Sequence, residues 1–299
     1  RSKQSIDPVK EIPIDPFFYH RRQTNEVENI GESNVPRVIA DFSNSEIKDY
    51  HDLKAVGHFY LSELDKWKMN DQGADYLYTG LFEIPFMLPN GLKEIQDYSI
   101  WKNNYNDTNK YPLFTWQEYK NRTAQHEKLN FISLEASEWN IEIKAALLAD
   151  ITLVIILNTT NPNSLASMRR FFFNCIESNV KVPIMICGQY DYKNHEEFQL
   201  YSSTDVGGLL IDGLGDGVSF FNNPDEMKID LEIKKLQNQT AFGILQAART
   251  RMSKTEYISC PSCGRTLFDL QQTTAIIRKR TDHLKGVKIG IMGCIVNGP

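Results

Sequence analysis

Three of the five cysteines have the spacing of metal ligands. Cys260 and Cys263 form a Cys-x-x-Cys motif in which Pro261 stiffens the loop and Gly264 permits a tight backbone turn. This spacing lets two thiolates converge on one metal, a geometry found in both zinc and iron–sulfur sites. Cys294 follows an apolar, strand-like run and is a candidate third ligand. The three thiolates therefore predict a metal centre.

The spacing alone leaves the metal open. Cys-Pro-x-Cys-Gly is typical of a zinc knuckle, but a zinc site needs a fourth ligand. His283 could supply it, although its polar neighbours indicate a surface residue at a helix end. Three thiolates with a non-cysteine fourth position instead favour a [4Fe–4S] cluster with an accessible iron, whereas a simple electron carrier would need a fourth cysteine. The alternative function is a non-catalytic scaffold that holds structural zinc.

The remaining cysteines have a different setting. Cys175 lies in the apolar run Arg170–Ile176, and Cys187 ends the strand-like run Ile184–Ile186. Both are predicted to be small buried residues. An odd and sparse set of cysteines argues against a disulfide framework, and thiolate ligands imply a reducing compartment.

Composition excludes several classes of protein. The chain has 299 residues, 41% of them hydrophobic and 24% charged, as in ordinary globular proteins. Its 33 Lys and Arg against 38 Asp and Glu give a net charge of −5, which argues against a nucleic-acid binder. No apolar run approaches the roughly 18 residues of a membrane-spanning helix. We therefore expect neither nucleic acid nor membrane as a partner.

Strands and helices are predicted to alternate in the middle of the chain, which favours βαβ units on a parallel sheet, either open or closed into a barrel. Four predicted strands, 131–134, 151–157, 182–187 and 208–211, are interpreted as continuous β-branched runs typical of strands buried on both faces. Two further strands are predicted at 38–40 and 76–78. The predicted helices are 46–66, 138–148, 164–178, 194–201, 224–250 and 266–280.

The flanking regions differ in composition. Residues 1–35 contain several prolines and are predicted to be a linker arm, with His20, Arg21 and Arg22 exposed on it. The Asn- and Lys-rich region 101–120 is predicted to be a surface insertion. A domain boundary is expected near 251, which separates a middle domain at 36–250 from a metal-binding domain at 251–299.

Two segments carry a specific resemblance. Tyr257–Leu270 (YISCPSCGRTLFDL) and Val287–Pro299 (VKIGIMGCIVNGP) closely resemble the iron–sulfur domain of 4-hydroxy-3-methylbut-2-enyl diphosphate synthases. Residues 207–217 (GGLLIDGLGDG) resemble the end of the middle domain in the three-domain, plastid-type form of that family. The resemblance is highly specific from about residue 205 to residue 299. Before residue 205 it extends only to the general pattern of the sequence.

The resemblance implies an α/β fold in which a TIM-barrel-like middle domain precedes an incomplete α/β iron–sulfur domain. It implies a [4Fe–4S] cluster on Cys260, Cys263 and Cys294, with Asn297 approaching the substrate. The family's fourth ligand, a glutamate, would follow two residues after Pro299. The substrate-binding first barrel would lie before Arg1, so the sequence is predicted to be a fragment without catalytic residues of its own and inactive alone.

The implied reaction is the reductive opening and dehydration of 2-C-methyl-D-erythritol 2,4-cyclodiphosphate in the non-mevalonate isoprenoid pathway. A ferredoxin- or flavodoxin-type donor would supply electrons, and Arg249, Arg251 and Lys254 are candidates for orienting it. A plastid-like organelle, either an apicoplast or a chloroplast stroma, is the implied compartment. The resemblance also allows a homodimer.

A glycine-rich loop is a second candidate site. Gly213–Gly217 follows the predicted strand 208–211 and could hold a phosphate with its backbone N–H groups. In the family's catalytic barrel a similar segment is followed by an arginine that holds the diphosphate, but Ser219 takes that place here. The loop is therefore predicted to be a strand-to-helix turn of a barrel that has lost phosphate binding.

Overall fold

The computed structural model describes residues 5–44, 46–103, 107–221, 230–260 and 268–292. The chain divides into two compact units, residues 1–250 and residues 251–299. Each unit has its own strands and helices and is described separately below.

Eight parallel strands of the first unit close into a barrel. The described residues of this unit form ten strands: β1 (Arg37–Asp41), β2 (His58–Leu61), β3 (Lys66–Met69), β4 (Tyr76–Gly80), β5 (Lys93–Asp97), β6 (Lys110–Phe114), β7 (Asn130–Glu135), β8 (Leu153–Asn158), β9 (Ile184–Gly188) and β10 (Gly217–Phe220). The order around the barrel is β1-β10-β9-β8-β7-β6-β5-β4, with β4 pairing back to β1. The prediction of a TIM-barrel-like α/β domain is confirmed.

The connections between consecutive barrel strands contain an α-helix, except those from β1 to β4 and from β4 to β5. The helices are α1 (Tyr98–Trp101), α2 (Trp116–Lys120), α3 (Ile141–Ala149), α4 (Ser164–Glu177), α5 (His195–Ile211) and α6 (Leu231–Ala247). Between β1 and β4 the chain forms a short 3₁₀ helix, Tyr50–Val56, and the antiparallel hairpin β2–β3. Side-chain caps fix several helix starts, for example Thr115 and Glu118 in a capping box at α2.

The apolar core has the layers expected of such a barrel. One buried cluster fills the barrel interior and includes Tyr76, Phe131, Ile156 and Met185. A larger cluster packs the outward face of the strands against the helices. Because both faces of the strands are buried, β8 (LVIILN) and β9 (IMICG) are nearly continuous apolar runs, which explains why they were predictable.

Three predicted elements are wrong. Residues 208–211 are the last turn of α5 and not a strand, because the helix that begins at His195 continues to Ile211. Residues 46–66 do not form one helix, because Gly57 takes a φ of +86° that ends the 3₁₀ helix and starts the hairpin. The region 101–120 is not a surface insertion, because it supplies strand β6 and the buried Trp101.

The described part of the second unit forms a βαβ arrangement. Strand β11 (Glu256–Ser259) and strand β12 (Lys288–Ile291) pair in parallel, and helix α7 (Leu270–Thr281) connects them along the chain. The Asp269 side chain accepts a hydrogen bond from the Gln272 N–H and caps the start of α7. The second unit is thus an α/β unit.

Candidate functional site

Cys260 lies at the carboxyl end of β11. Its N–H donates to the Ile291 carbonyl at 3.1 Å, so the backbone at Cys260 is held against the end of β12. The thiol is half-buried and not part of a disulfide. Ligand sites in parallel α/β sheets form at the carboxyl ends of strands, so Cys260 has the placement that a metal ligand requires.

Helix α7 supports this end of the strands. The Ser259 hydroxyl lies 3.4 Å from the Thr274 hydroxyl, and the Tyr257 hydroxyl lies 2.8 Å from that of Thr281. These two contacts show that α7 runs antiparallel to β11, with its N-terminal half beside the cysteine end. The positive end of a helix dipole favours a thiolate, so this orientation suits an anionic sulfur ligand at Cys260.

The other predicted site residues lie outside the described residues. These are Cys263, Cys294 and Asn297. Within the described ranges, no three His, Cys, Asp or Glu side chains are grouped to hold a metal ion. The structure therefore places one of the three predicted thiols, and the ligand assignment stays a prediction.

The secondary candidates near the cysteine motif are surface residues. His283 is exposed just after the end of α7, as its polar neighbours predict. Arg249 and Lys254 are exposed, whereas Arg251 is half-buried. Their predicted role in orienting an electron donor stays a prediction.

The mouth of the barrel, where the strands end, carries polar side chains that sequence reasoning missed. The Tyr78 hydroxyl donates to Asp97 at 2.7 Å, and the Tyr78 ring stacks on Phe221. Asn158 donates to the Ser133 hydroxyl at 3.0 Å. Burial raises the pKa of Asp97 and of the Tyr78 phenol. The parallel pairing of β4 with β5 and of β7 with β8 brings these residues together, so no local motif could have revealed them.

The glycine-rich loop is on the opposite end of the barrel. Gly213–Gly217 follows helix α5 and leads into β10, so it is a helix-to-strand connection and the predicted strand-to-helix turn is wrong. Ser219 is fully buried and pairs in register with Ile39 and Cys187, both of which face the barrel interior. No charged group at Ser219 is available to hold a phosphate.

The predicted exposed cluster at His20–Arg22 is wrong for both arginines. Arg22 donates to the Val180 and Val182 carbonyls at 2.7 and 3.0 Å, and only 5% of its side chain is exposed. Arg21 forms a 3.0 Å ion pair with the buried Asp216. Residues 21–25 are therefore fastened to the amino end of the barrel, where strand and helix ends offer carbonyl and carboxylate acceptors.

The two remaining cysteines are buried, as predicted. Cys175 on α4 is fully buried, and Cys187 on β9 is 2% exposed. Burial in apolar surroundings raises the pKa of both thiols to about 12. Neither thiol is suited to ligate a metal or to act as a nucleophile near neutral pH.

A cavity of about 830 Å³ lies beside the hairpin β2–β3. Its walls include the rings of Tyr50, Tyr60, Trp67 and Phe86, whose centroids are 4.5–6.4 Å apart. Most of these ring pairs are edge to face, whereas Trp67 and Phe86 stack. Trp67 and Phe86 also pack against a small apolar core that includes Phe42, Leu53 and Val56.

Comparison with known proteins matches both units. Residues 256–299 match the family model "GcpE protein C-terminal domain". The chain is 37% identical over 293 residues to 4-hydroxy-3-methylbut-2-en-1-yl diphosphate synthase (flavodoxin) of Phocaeicola vulgatus, which covers 98% of the chain and 43% of the relative. The corresponding protein of Parabacteroides distasonis is 38% identical over 304 residues, covering 100% of the chain and 44% of the relative.

A plant relative matches a shorter region. The chloroplastic 4-hydroxy-3-methylbut-2-en-1-yl diphosphate synthase (ferredoxin) of Arabidopsis thaliana is 49% identical over 132 residues, which is 44% of the chain and 17% of the relative. No helix in the described part of the chain is long and apolar enough to cross a membrane. The chain spans less than half the length of the bacterial relatives that cover it. Over nearly its whole length the chain is similar to two bacterial proteins named 4-hydroxy-3-methylbut-2-en-1-yl diphosphate synthase (flavodoxin).

Proposed function

We propose that the chain contributes a middle barrel and cluster-binding cysteines to an iron–sulfur reductase with the activity for which its relatives are named. The observation that carries the proposal is the similarity across 98% of the chain, which includes the segment that begins at Cys260. In this proposal Cys260, Cys263 and Cys294 hold a [4Fe–4S] cluster. The half-exposed Cys260 thiol at a strand end fits that donor set.

Chain connectivity supports a single site for the three thiols. Cys260 directly follows β11, and Cys294 follows the end of β12 by three residues. A chain of three residues reaches at most about 11 Å, so the spacing along the chain permits Cys294 to share a site with Cys260. The three-residue spacing from Cys260 permits the same for Cys263. Chain length is therefore compatible with one cluster for the three proposed ligands.

The proposed substrate is 2-C-methyl-D-erythritol 2,4-cyclodiphosphate. Two electrons and two protons open its ring and release one oxygen as water, which gives 4-hydroxy-3-methylbut-2-enyl diphosphate. A [4Fe–4S] cluster held by Cys260, Cys263 and Cys294 would supply these two electrons one at a time. Asn297 is proposed to approach the substrate, and a flavodoxin or ferredoxin is proposed as the electron donor.

The middle barrel is proposed to act as a spacer and not as a second catalytic barrel. Its buried Ser219 replaces the arginine expected of a diphosphate site. The last inward positions of β1, β5 and β7 carry carboxylates, at Asp41, Asp97 and Glu135, which would repel a diphosphate. We therefore place the substrate outside this barrel. One relative is chloroplastic. For a source organism that has plastids, this supports a plastid-like organelle as the compartment in which the protein acts.

Metal analysis tests the proposed cluster. The chain, and a version extended by Gly-Glu after Pro299, are purified without oxygen and assayed for iron, sulfide and visible absorption. We expect about four irons and four sulfides per chain, lost in Cys260→Ser, Cys263→Ser and Cys294→Ser. Cys187→Ala, at a buried thiol, is the matched control and should retain the cluster. A colourless protein with bound zinc would contradict the proposal and favour a structural zinc knuckle.

A further inference from the structure

The two units differ in the sign of their charge. Residues 251–299 contain eight Lys and Arg against three Asp and Glu, which gives a net charge of +5 in 49 residues. Residues 1–250 contain 25 Lys and Arg against 35 Asp and Glu, which gives −10. The unit that carries the predicted cluster ligands is therefore strongly basic in an acidic chain.

The fold gathers this basic charge at one end of the second unit. The Thr255 hydroxyl contacts the carbonyls of Thr281, Asp282 and Leu284 at 2.9–3.3 Å. The Gly286 N–H donates to the Lys254 carbonyl. These bonds fasten the start of β11 to the end of α7 and to the turn before β12. Six cations come together there, which we call the basic end: Lys254, Arg278, Lys279, Arg280, Lys285 and Lys288.

The basic end carries more positive charge than is needed to stabilise the dipole of helix α7. A cation in the last turn of α7 stabilises the negative end of the helix dipole, and Arg278 does so while its guanidinium lies 5.0 Å from the centre of the Tyr257 ring. Lys279 and Arg280 are also exposed, and Lys288 adds an exposed cation from β12. Glu256 and Asp282 are the acidic residues of the same end, so the excess is positive.

The basic end is also within range of the cysteines. Strand β11 has four residues, so the basic end lies about 13 Å from Cys260 along the strand. A small redox protein whose acidic rim contacts the basic end could place its prosthetic group beside the cysteine end. Charged rims of this kind raise association rates and orient the encounter.

We propose that the basic end is the docking surface for the acidic face of a small electron-donor protein. The proposal rests on the proposed function, since it supplies the route by which electrons reach the cluster. It commits to a carboxylate-rich redox protein as the occupant, because the chain's only strongly basic unit is the one that contains the predicted redox site. A nucleic acid would suit the same charge, and the experiment below separates the two.

Binding kinetics test the docking surface directly. The 299-residue chain is immobilised, and a bacterial flavodoxin, a plant-type ferredoxin, basic cytochrome c and a 20-base-pair DNA duplex are passed over it at 50 and 300 mM NaCl. We expect the two acidic proteins to bind at 50 mM and to lose at least tenfold in association rate at 300 mM. Cytochrome c and the duplex should bind at least tenfold more weakly.

Charge reversal locates the surface. Lys279→Glu/Arg280→Glu should slow association with the acidic proteins at least tenfold at 50 mM NaCl and flatten the salt dependence. Lys68→Glu/Lys193→Glu, at exposed positions of the barrel unit, changes the net charge equally and should leave the rate within twofold. Thermal unfolding shows whether each variant still folds. If Lys279→Glu/Arg280→Glu does not fold, the neutral Lys279→Gln/Arg280→Gln variant is measured in its place.

Two results would overturn the proposal. The first is equal slowing by both charge-reversed pairs, which would indicate an effect of net charge. The second is tight binding of the DNA duplex without binding of the acidic proteins. The association rates and their salt dependence do not depend on a bound cluster. The docking proposal and the cluster proposal can therefore fail independently of each other.

Discussion

At the scale of single residues, Asp216 joins the N-terminal segment around Arg21 and Thr24 to the barrel. One carboxylate oxygen accepts from Arg21 at 3.0 Å and from Thr24 at 3.1 Å, and the other accepts from the Ile184 N–H at 3.0 Å. The carboxylate is 2% exposed, and the Arg22 guanidinium lies 3.9 Å away. Two largely buried guanidiniums therefore depend on one buried carboxylate.

Removal of this carboxylate should destabilise the protein strongly. We expect Asp216→Ala to lower the free energy of unfolding by about 3–5 kcal/mol, because it leaves buried positive charge without its partner. Asp191→Ala, at an exposed carboxylate, should change it by less than about 0.5 kcal/mol. Urea unfolding followed by circular dichroism measures both. Equal stabilities of the two variants would show that Arg21 and Arg22 do not rely on Asp216.

Residue-level prediction from the sequence worked where chemistry is local. The Cys-x-x-Cys spacing and the apolar runs around Cys175 and Cys187 lie within a few residues of each cysteine, so their roles can be inferred from neighbours. The Arg21–Asp216 pair joins residues 195 positions apart, and a linker composition around Arg21 conceals it. The same holds for Tyr78 and Asp97 at the barrel mouth, whose contact depends on the pairing of β4 with β5.

At the scale of elements, two glycines have opposite roles. Gly213 in the loop before β10 takes a φ of +77°, and a Cβ there would lie 2.1 Å from the His20 carbonyl oxygen. Gly243 lies inside α6, and a Cβ there would meet nothing within 4 Å. The first glycine is required by backbone conformation and close approach, whereas the second only weakens its helix.

Substitution by alanine should separate these roles. Gly213→Ala is expected to lower the free energy of unfolding by more than about 2 kcal/mol. The cost of placing alanine at a left-handed φ adds to the cost of the clash between its Cβ and the His20 carbonyl oxygen. Gly243→Ala is expected to raise it by about 0.5–1 kcal/mol, because alanine favours the helix. Chemical denaturation of the matched pair measures both signs. Destabilisation by Gly243→Ala would show that another surface covers α6 at this position.

Elements were predictable where pattern and burial agree. Strands β8 and β9 are apolar runs rich in isoleucine, and helix α4 has six buried residues, five of them apolar. The end of α5 was mistaken for a strand because Gly207-Gly208-Leu209-Leu210-Ile211 is apolar and short, so periodicity could not decide between helix and strand. Strand β6 was missed because its polar flank obscured a four-residue buried run.

At the scale of the whole molecule, the two units have very different cores. The first unit encloses a closed barrel with buried clusters on both faces of the sheet. In the described part of the second unit, the buried apolar residues are Leu270 and Ile291, and large apolar side chains such as Ile258 and Met292 remain exposed. A unit of 49 residues with so small a core is below the size at which burial alone stabilises a fold.

The units should therefore behave differently when they are separated. Residues 1–250 alone are expected to unfold cooperatively with a midpoint within about 2 °C of the full chain, because the barrel closes without residues from the second unit. Residues 251–299 alone are expected to be unfolded in metal-free buffer, and to gain structure only when iron and sulfide are supplied, since ligand binding and folding are coupled in small metal domains. Circular dichroism melting of the first piece and amide proton dispersion of the second measure these outcomes. A well-dispersed spectrum of metal-free 251–299 would contradict the argument from core size, and loss of the cooperative transition in 1–250 would show that the barrel needs the second unit.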